Sequence, residues 1–368
     1  MATSSDIMKL KRAFFIGLVL AVSITLLSYI VRFNSTHAHT RFQTGYNEQV
    51  QNELRNELDI DPFGNNDNLH QSQQSHLERQ ISFEDEQKKR LEVLKQGCEK
   101  RRADGLVGNM PGHKAQSHII VNDQYKVLYC YIPKVACTNL KRMFLILTGK
   151  MNTSNLLSIK SADVHFTYDR YFTYLDNYSQ QEAEQRIQSY RKVIFVREPL
   201  ERLLSAYRNK FVQNSTYFHQ RFGRKIVRQF RLLPSKQSIE TGSDVKFDEF
   251  IQYILDPETQ TQYNEHWDKF TSLCDPCTIP YDFIGKYETF NSDIQSLLEM
   301  LGVADRVEFP KRSDSYKTTK TKDSLIAFYR QVPKHQLSQM WHVYYSDYLL
   351  FDYPYPEVLR ILKDDIHV

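Results

Sequence analysis

The stretch Tyr129–Arg142, YCYIPKVACTNLKR, decides the fold prediction for this chain. Aromatic and β-branched residues from Tyr125 to Ile132 predict a buried strand, and the apolar run after Thr138 predicts a helix that ends at Gly149. Thr138 is the expected cap of that helix. A helix that starts directly after a tight loop points free backbone N–H groups and the positive end of its dipole into the loop. Because Lys134 adds a full charge there, the stretch predicts an anion site.

A second unit of the same design follows farther along the chain. Lys192–Val196 predicts a short strand, Arg197 ends it, and Pro199 suits the first turn of a helix. The apolar face of this helix comprises Leu200, Leu203, Leu204, Tyr207 and Phe211, and its polar face comprises Glu201, Arg202, Ser205, Arg208 and Asn209. Arginine binds phosphate through two parallel hydrogen bonds. We therefore expect Arg197 and Ser205 to meet a second phosphate.

Two strand-loop-helix units that each end in phosphate-seeking residues indicate a nucleotide with phosphates at two separate positions. A nucleoside triphosphatase or nucleotide kinase would carry a glycine-rich loop that ends in Lys and Ser or Thr. Here Lys134 stands second in a loop without glycine, which disfavours that class. The repeated units predict an α/β domain with a mainly parallel sheet flanked by helices.

At this point the motifs resemble those of the Golgi carbohydrate sulfotransferases, most closely the chondroitin 4-O-sulfotransferases. The matching blocks are PKVACTN (133–139), REPLERLLSAYRNKF (197–211), YNEHW (263–267), SLCDPC (272–277) and YDFIGKYET (281–289). The resemblance covers roughly residues 116–355. It departs at Leu140, where relatives carry Trp, and this exchange of apolar residues concerns local packing.

The resemblance implies a P-loop-like sulfotransferase fold that uses 3′-phosphoadenosine 5′-phosphosulfate (PAPS) as co-substrate. In the family the first motif binds the 5′-phosphosulfate and the second binds the 3′-phosphate. Carried onto this sequence, the donor-binding residues are Pro133, Lys134, Val135, Ala136, Cys137, Thr138, Asn139, Arg197, Glu198, Arg202 and Ser205. For Glu198 and Arg202 the simpler role is to shape the turn. We predict no metal requirement, because Lys134 and the helix N-termini supply positive charge.

Sulfuryl transfer needs a group that neutralises the departing phosphate and a base that activates the sugar hydroxyl. Lys134 is the candidate for the first role. His165 is the candidate base, since related heparan sulfotransferases place a catalytic histidine before an aromatic-rich segment. A structural role is the simpler interpretation of any one of the twelve histidines, and His219 and His266 are the alternative bases.

The resemblance favours the 4-hydroxyl of N-acetylgalactosamine in chondroitin as the acceptor. Dermatan, N-glycan N-acetylgalactosamine and the 3-hydroxyl of glucuronic acid are alternatives. Residues 191–231 hold eleven Lys or Arg against two Glu, and a second basic cluster spans 311–322. These clusters favour a groove for a polyanionic glycan, although a solvated face is the simpler alternative. The non-enzyme alternative is a catalytically inactive glycan-binding protein. The predicted membrane anchor and the glycosylation sequons, described next, disfavour a nucleic-acid partner.

The N-terminus predicts a membrane anchor. Residues 13–31 form an uncharged run that is long enough to cross a bilayer, and Lys9, Lys11 and Arg12 precede it. The positive-inside rule places 1–12 in the cytosol, and therefore predicts a single-pass type II protein of the Golgi membrane with a lumenal catalytic domain at 116–368. A cleaved signal peptide is the alternative. Residues 32–115 predict a polar stem, largely disordered or partly helical, which is compatible with a homodimer through the stem.

Glycosylation sequons and cysteines agree with a lumenal location. The sequons are at Asn34, Asn152, Asn177 and Asn214, and the cysteines are Cys98, Cys130, Cys137, Cys274 and Cys277. The odd number leaves one thiol unpaired. A local bridge between Cys274 and Cys277 is the expected disulfide, and a zinc site formed by this pair with His266 is the alternative.

Overall fold

A computed structural model describes residues 67–310 and 320–364. The chain divides into two compact units, 1–74 and 75–368; of the first only 67–74 are described, and they are helical. The predicted membrane anchor at 13–31, the sequon at Asn34 and residues 311–319 of the second basic cluster lie outside the described residues. Within the described ranges, no helix combines the length and apolar character that a membrane span requires.

In the described part of the chain five strands form one sheet, in the order β3-β1-β2-β4-β5. They are β1 Ile119–Asn122, β2 Val127–Cys130, β3 Thr173–Tyr174, β4 Arg191–Val196 and β5 Phe283–Lys286. β2, β4 and β5 run parallel, whereas β1 pairs antiparallel with both β2 and β3. The sheet is therefore mixed, and the prediction of a mainly parallel sheet holds for one half only. The reason is that residues 123–126 join β1 to β2, and so short a connection permits only a hairpin.

Helices flank this sheet, and one of the predicted helices starts where expected. The α-helices are Asp67–Ala103, His113–Gln116, Cys137–Leu147, Ser161–His165, Gln180–Ser189, Pro199–Tyr207, Thr216–Phe218, Arg224–Phe230, Lys236–Thr241, Phe247–Leu255, Pro257–Gln260, Phe270–Cys274, Phe290–Met300, Thr321–Tyr329, Lys334–Leu350 and Glu357–Asp364. Two π-helical turns occur at Arg208–Val212 and His219–Gly223. Pro199 opens its helix as predicted.

Two hydrophobic clusters form the core. One surrounds the sheet, and the other lies among helices around the fully buried Trp267. The apolar face predicted for helix Pro199–Tyr207 is buried in the second cluster, including Leu200 and Phe211. The predicted polar face differs from expectation, because Glu201 and Arg202 are buried as well. This helix is thus covered on both faces, which places its polar residues inside the protein.

The C-terminal half of helix Asp67–Ala103 packs on the sheet, although the sequence assigned this segment to a stem. The side-chain amide of Gln87 donates to the carbonyl of Ile284 at 2.9 Å and accepts from the N–H of Ile284 at 3.0 Å. Arg90 donates to the same carbonyl and to Asp293, each at 2.8 Å. These bonds pair backbone groups on the outer edge of β5. An edge strand otherwise leaves such groups unpaired and open to other chains.

The disulfide prediction was wrong. Cys98 is bonded to Cys277 and Cys130 to Cys274, while Cys137 is free. The bridges therefore join distant parts of the chain instead of the neighbours Cys274 and Cys277, whose close spacing would have strained a direct bond. Because both thiols of the proposed zinc pair are engaged in disulfides, neither is available as a thiolate ligand.

Candidate active site

The two predicted anion loops lie side by side. β2 and β4 are parallel neighbours, so their carboxyl ends meet at one edge of the sheet. Side chains of the second unit reach the backbone of the first. Arg202 Nε donates to the carbonyl of Pro133 at 2.9 Å, and Arg197 Nη1 donates to the carbonyl of Lys134 at 3.2 Å. The structure thus brings together two motifs that are some sixty residues apart in the sequence.

The first loop adopts glycine-like backbone angles without a glycine. Lys134 has φ 73° and Ala136 has φ 54°, both in the left-handed region. Such angles cost on the order of 1–3 kcal/mol for a residue with a side chain and are concentrated at functional sites. They turn the backbone sharply between Pro133 and helix Cys137–Leu147, so that the helix starts inside the loop. The helix has no side-chain cap, and the prediction that Thr138 caps it was wrong, since Thr138 already lies in its first turn.

Lys134 is held in a desolvated and cationic environment. Burial, together with the nearby charges of Lys210 and Arg197, lowers the pKa of Lys134 to about 8 against an opposing effect of Cys137. Pro133 and Val135 on either side are buried. A lysine near neutral pH in this setting keeps its proton and lacks a full solvation shell, so it is suited to receive an anion.

His165 contacts the first loop directly. Its Nε2 lies 3.0 Å from Oγ1 of Thr138, at hydrogen-bond distance. Burial lowers the pKa of His165 to about 4, and the charges of Lys141 and Lys210 act in the same direction. The imidazole is therefore neutral near pH 7 and able to accept a proton. The contact joins the candidate base to the loop that carries the candidate cation.

The remaining residues of the first motif have different surroundings. Asn139 is buried and accepts a hydrogen bond from Arg142 Nη1 at 2.7 Å, so its side chain supports the helix from within. Arg142 also donates to the carbonyl of Ile159 at 2.8 Å. Cys137, the free cysteine, is partly exposed at the start of the helix.

Arg197 links the two loops and retains donors for a ligand. Its Nε and Nη2 donate to Glu201 at 3.4 and 3.3 Å, and its guanidinium lies 4.2 Å from the centre of the Tyr287 ring. A guanidinium has five N–H groups. The three bonds to Glu201 and to the carbonyl of Lys134 leave two of them for a phosphate.

Arg202 and Glu198 bond to other parts of the protein. Arg202 is 1% exposed, and besides Pro133 it donates to the carbonyls of Asp268 at 2.6 Å and Glu265 at 2.7 Å. Glu198 accepts from the N–H of Glu201 at 2.5 Å and from the hydroxyl of Tyr348. These contacts favour the simpler interpretation, in which both side chains shape the turn. Ser205 lies on the same helix and is partly exposed.

The two alternative histidines are placed differently. His219 is buried, and its Nε2 lies 3.3 Å from the carbonyl of Phe211, which is a packing role. His266 lies near the site: its Nδ1 is 2.6 Å from Oδ1 of Asn264, and burial together with the charges of Lys210 and Lys134 holds its pKa well below the usual range. Since an amide oxygen only accepts, Nδ1 carries the proton and Nε2 is free to accept one.

Lys210 was missed as a site residue. Its charge acts on Lys134, His165 and His266, and its Nζ lies 4.4 Å from the centre of the Phe218 ring. Helical spacing did not place it on the polar face of the second helix. The π-helical turn Arg208–Val212 explains this, because it rotates the residues after Tyr207 out of the α-helical register. The only sequence signal was its position within the motif RNKF.

The sequence is similar to those of known proteins. A model of the sulfotransferase family matches residues 117–354. Carbohydrate sulfotransferase 11 of Mus musculus is 41% identical over 248 residues, which cover 66% of this chain and 69% of that protein. Carbohydrate sulfotransferase 8 of Homo sapiens is 36% identical over 281 residues, covering 76% and 65%. Carbohydrate sulfotransferase 14 of Danio rerio is 39% identical over 241 residues, covering 65% and 63%. No solved structure matches the chain.

Proposed function

The chain belongs to the carbohydrate sulfotransferase family, and we propose that it transfers a sulfuryl group from PAPS to a hydroxyl of a glycan, the 4-hydroxyl of N-acetylgalactosamine in chondroitin. The observation that carries the proposal is the 3.0 Å contact between Thr138 and His165. It places a neutral imidazole against the loop that holds Lys134. A candidate base and a cation at one loop suit an in-line transfer between two oxygens.

The residues present fit a donor with phosphates at two positions. The start of helix Cys137–Leu147 and the ammonium of Lys134 suit the 5′-phosphosulfate, and the two spare N–H groups of Arg197 with the hydroxyl of Ser205 suit the 3′-phosphate. PAPS supplies the activated sulfuryl group when it is bound. No group of three or more possible metal ligands occurs in the described part of the chain.

In the proposed mechanism His165 acts as general base. With the proton on Nδ1, its Nε2 accepts a hydrogen bond from the hydroxyl of Thr138 in the ligand-free site. An anion at the helix start offers that hydroxyl a stronger acceptor, because hydrogen bonds to charged groups are about twice as strong as neutral ones. Nε2 is then free to take the proton of the sugar hydroxyl as its oxygen bonds to sulfur.

Lys134 acts on the opposite side of the reacting sulfur. The bond between sulfur and the 5′-phosphate oxygen breaks, and its electron pair remains on that oxygen. Lys134 neutralises the charge that develops there, and its desolvation strengthens this interaction. The products are adenosine 3′,5′-bisphosphate and the sulfated sugar, with the proton on His165.

The finer assignment of the acceptor is supported by the motif resemblance to chondroitin 4-O-sulfotransferases, with dermatan, N-glycan N-acetylgalactosamine and glucuronic acid as alternatives. A lumenal, type II placement in the Golgi membrane is part of the proposal. Two disulfides support it, because such bonds persist in oxidising compartments. The sequons at Asn152, Asn177 and Asn214 are exposed, as glycosylation there would require.

The test compares Lys134→Ala with His165→Ala in the full-length chain, using PAPS, a panel of unsulfated glycans and direct binding of adenosine 3′,5′-bisphosphate. Lys134→Ala removes a charge that touches both ligand and transition state, so binding and turnover should both fall. His165→Ala should leave bisphosphate affinity near wild type and lower turnover by roughly 10²- to 10⁴-fold.

The pH profile adds a second readout. The base form of His165 is complete well above its pKa of about 4. The turnover number of the wild type should therefore be nearly constant between about pH 6 and 7 and should fall only in more acidic solution. The residual turnover of His165→Ala should show no such fall. Wild-type turnover in a folded His165→Ala protein would remove His165 from the mechanism, and His266 would then be the base to test.

A further inference from the structure

Phe166 is the one exposed phenylalanine among the residues whose side chains the structure describes. Its surface is 81% accessible, and it directly follows His165. Single apolar residues on a surface are common, so exposure alone does not indicate a site. The position of Phe166 beside the candidate base distinguishes it from the other exposed apolar side chains.

Three hydrogen bonds close the turn that carries Phe166. Its N–H donates to the carbonyl of Ala162 at 3.1 Å, and the N–H of Tyr168 donates to the carbonyl of Asp163 at 2.7 Å. The hydroxyl of Thr167 donates to the Asp163 carboxylate at 3.0 Å. The backbone is therefore ordered before a ligand arrives, which reduces the entropy lost when a ligand contacts the ring.

The turn is also anchored to the active site. Val164 is fully buried, and His165 contacts Thr138. Consecutive Cα atoms lie about 3.8 Å apart. A sugar ring that rests on Phe166 therefore lies beside the segment that carries the imidazole.

We propose that Phe166 is the platform for the acceptor, on which the apolar C–H face of one pyranose ring packs while a hydroxyl of that ring points to Nε2 of His165. This inference rests on the proposed sulfotransferase function and adds a binding residue to it. The face of an aromatic ring carries partial negative charge, and the C–H groups of a pyranose meet it favourably. Lys210, which is partly exposed and whose charge acts on His165, favours an acidic glycan in the same place.

The experiment replaces Phe166 by Ala, Leu and Trp in the full-length chain. It measures kcat/KM for unsulfated chondroitin at saturating PAPS, together with affinity for adenosine 3′,5′-bisphosphate. Phe166→Ala should lower kcat/KM by about tenfold or more, since apolar contact of one ring is lost. Phe166→Trp keeps a planar face and should stay within roughly threefold of wild type, and Phe166→Leu should fall between the two. Bisphosphate affinity should be unchanged in all three.

Leu232→Ala is the matched control. Leu232 is 93% exposed, and the neighbouring Arg231 bonds to Asp244 and Glu249, neither of which belongs to an anion loop. It should behave as wild type. If the wild type is active and Phe166→Ala has the same kcat/KM as Leu232→Ala, Phe166 is not the platform and the proposed function still stands. A parallel loss of bisphosphate affinity would also overturn it, since the contact would belong to the donor. A wild type that sulfates no glycan would instead overturn the proposed function.

Discussion

At the scale of single residues, two side chains of opposite chemistry meet at the first loop: Lys134 belongs to it, and His165 contacts Thr138 beside it. Lys134 is a cation whose pKa burial lowers to about 8, and His165 is a candidate base whose pKa burial lowers to about 4. Burial disfavours the charged form of both groups. The outcome differs because lysine starts from a much higher value. Near neutral pH Lys134 is therefore charged and His165 is neutral, which is the pairing that the mechanism requires.

The pKa of Lys134 predicts how donor binding depends on pH. Its pKa of about 8 means that the charge is complete below pH 7 and is lost as the pH rises through 8. The phosphates of the ligand finish their own titration near pH 6 and do not contribute. Affinity for adenosine 3′,5′-bisphosphate should therefore fall by up to about tenfold between pH 7 and 9. Calorimetry over this range measures it.

Lys134→Arg is the control, because arginine keeps its charge at all these pH values. Its affinity should be independent of pH, even if weaker. A wild-type affinity that stays constant up to pH 9 would mean that the charge of Lys134 does not bind the donor.

At the scale of elements, Arg202 holds the site together. It is on helix Pro199–Tyr207, yet all three of its hydrogen bonds go to backbone carbonyls of other segments, at Pro133, Glu265 and Asp268. The segment 264–268 also carries His266. Removing the guanidinium leaves these carbonyls without their donor in the interior, and unsatisfied buried acceptors are costly.

We predict that Arg202→Lys lowers the free energy of unfolding by about 2–4 kcal/mol, because one ammonium cannot reach three carbonyls. Arg197→Lys is the matched change at the other buried arginine of the second motif. Arg197→Lys should lower the free energy of unfolding less than Arg202→Lys does, and it should lower the affinity for the 3′-phosphate more. Urea unfolding and bisphosphate binding measure the two effects. If Arg202→Lys is as stable as the wild type but loses bisphosphate binding, Arg202 is a donor-binding residue.

At the scale of the whole molecule, the part of helix Asp67–Ala103 from residue 75 onward precedes the family-matched region and belongs to the same compact unit. The family model matches 117–354, whereas Gln87 and Arg90 satisfy the edge of β5, and Cys98 is bonded to Cys277. Arg90 also pairs with Asp293, which is 1% exposed. Without this helix a buried carboxylate would lose its partner.

A fragment of residues 116–368 should therefore fold poorly, and a fragment of residues 75–368 should fold. The loss of the partner of Asp293 costs about 3–5 kcal/mol, and the loss of the bridge to Cys277 costs about 2–5 kcal/mol more. Secretion yield and thermal unfolding compare the fragments. The double variant Cys98→Ser, Cys277→Ser of the 75–368 fragment is the control, since it removes only the disulfide and keeps the partner of Asp293. Equal stability of both fragments would show that the helix is dispensable.

Local patterns were enough to predict the parts of this protein that depend on neighbouring residues. Periodicity and proline geometry predict the strand before Lys134, the strand Lys192–Val196, the start of a helix at Pro199 and its buried apolar face. The structure confirms them, with the second strand at Arg191–Val196. The motif resemblance predicted the family, which the comparisons confirm. These features are local because each rests on spacing within one segment.

Contacts between distant segments could not be read in this way. Four features depend on which segments meet. They are the antiparallel half of the sheet, the disulfide partners Cys98 and Cys130, the packing of Gln87 on β5 and the burial of Arg202. The sequence by itself determined the two anion loops and their residue types. Only the tertiary structure decided that the loops lie side by side, that Thr138 meets His165 and that Lys210 joins them. The physical reason is that propensity and hydrophobic period act over a few residues, whereas desolvation and hydrogen bonding act between whatever the fold brings together.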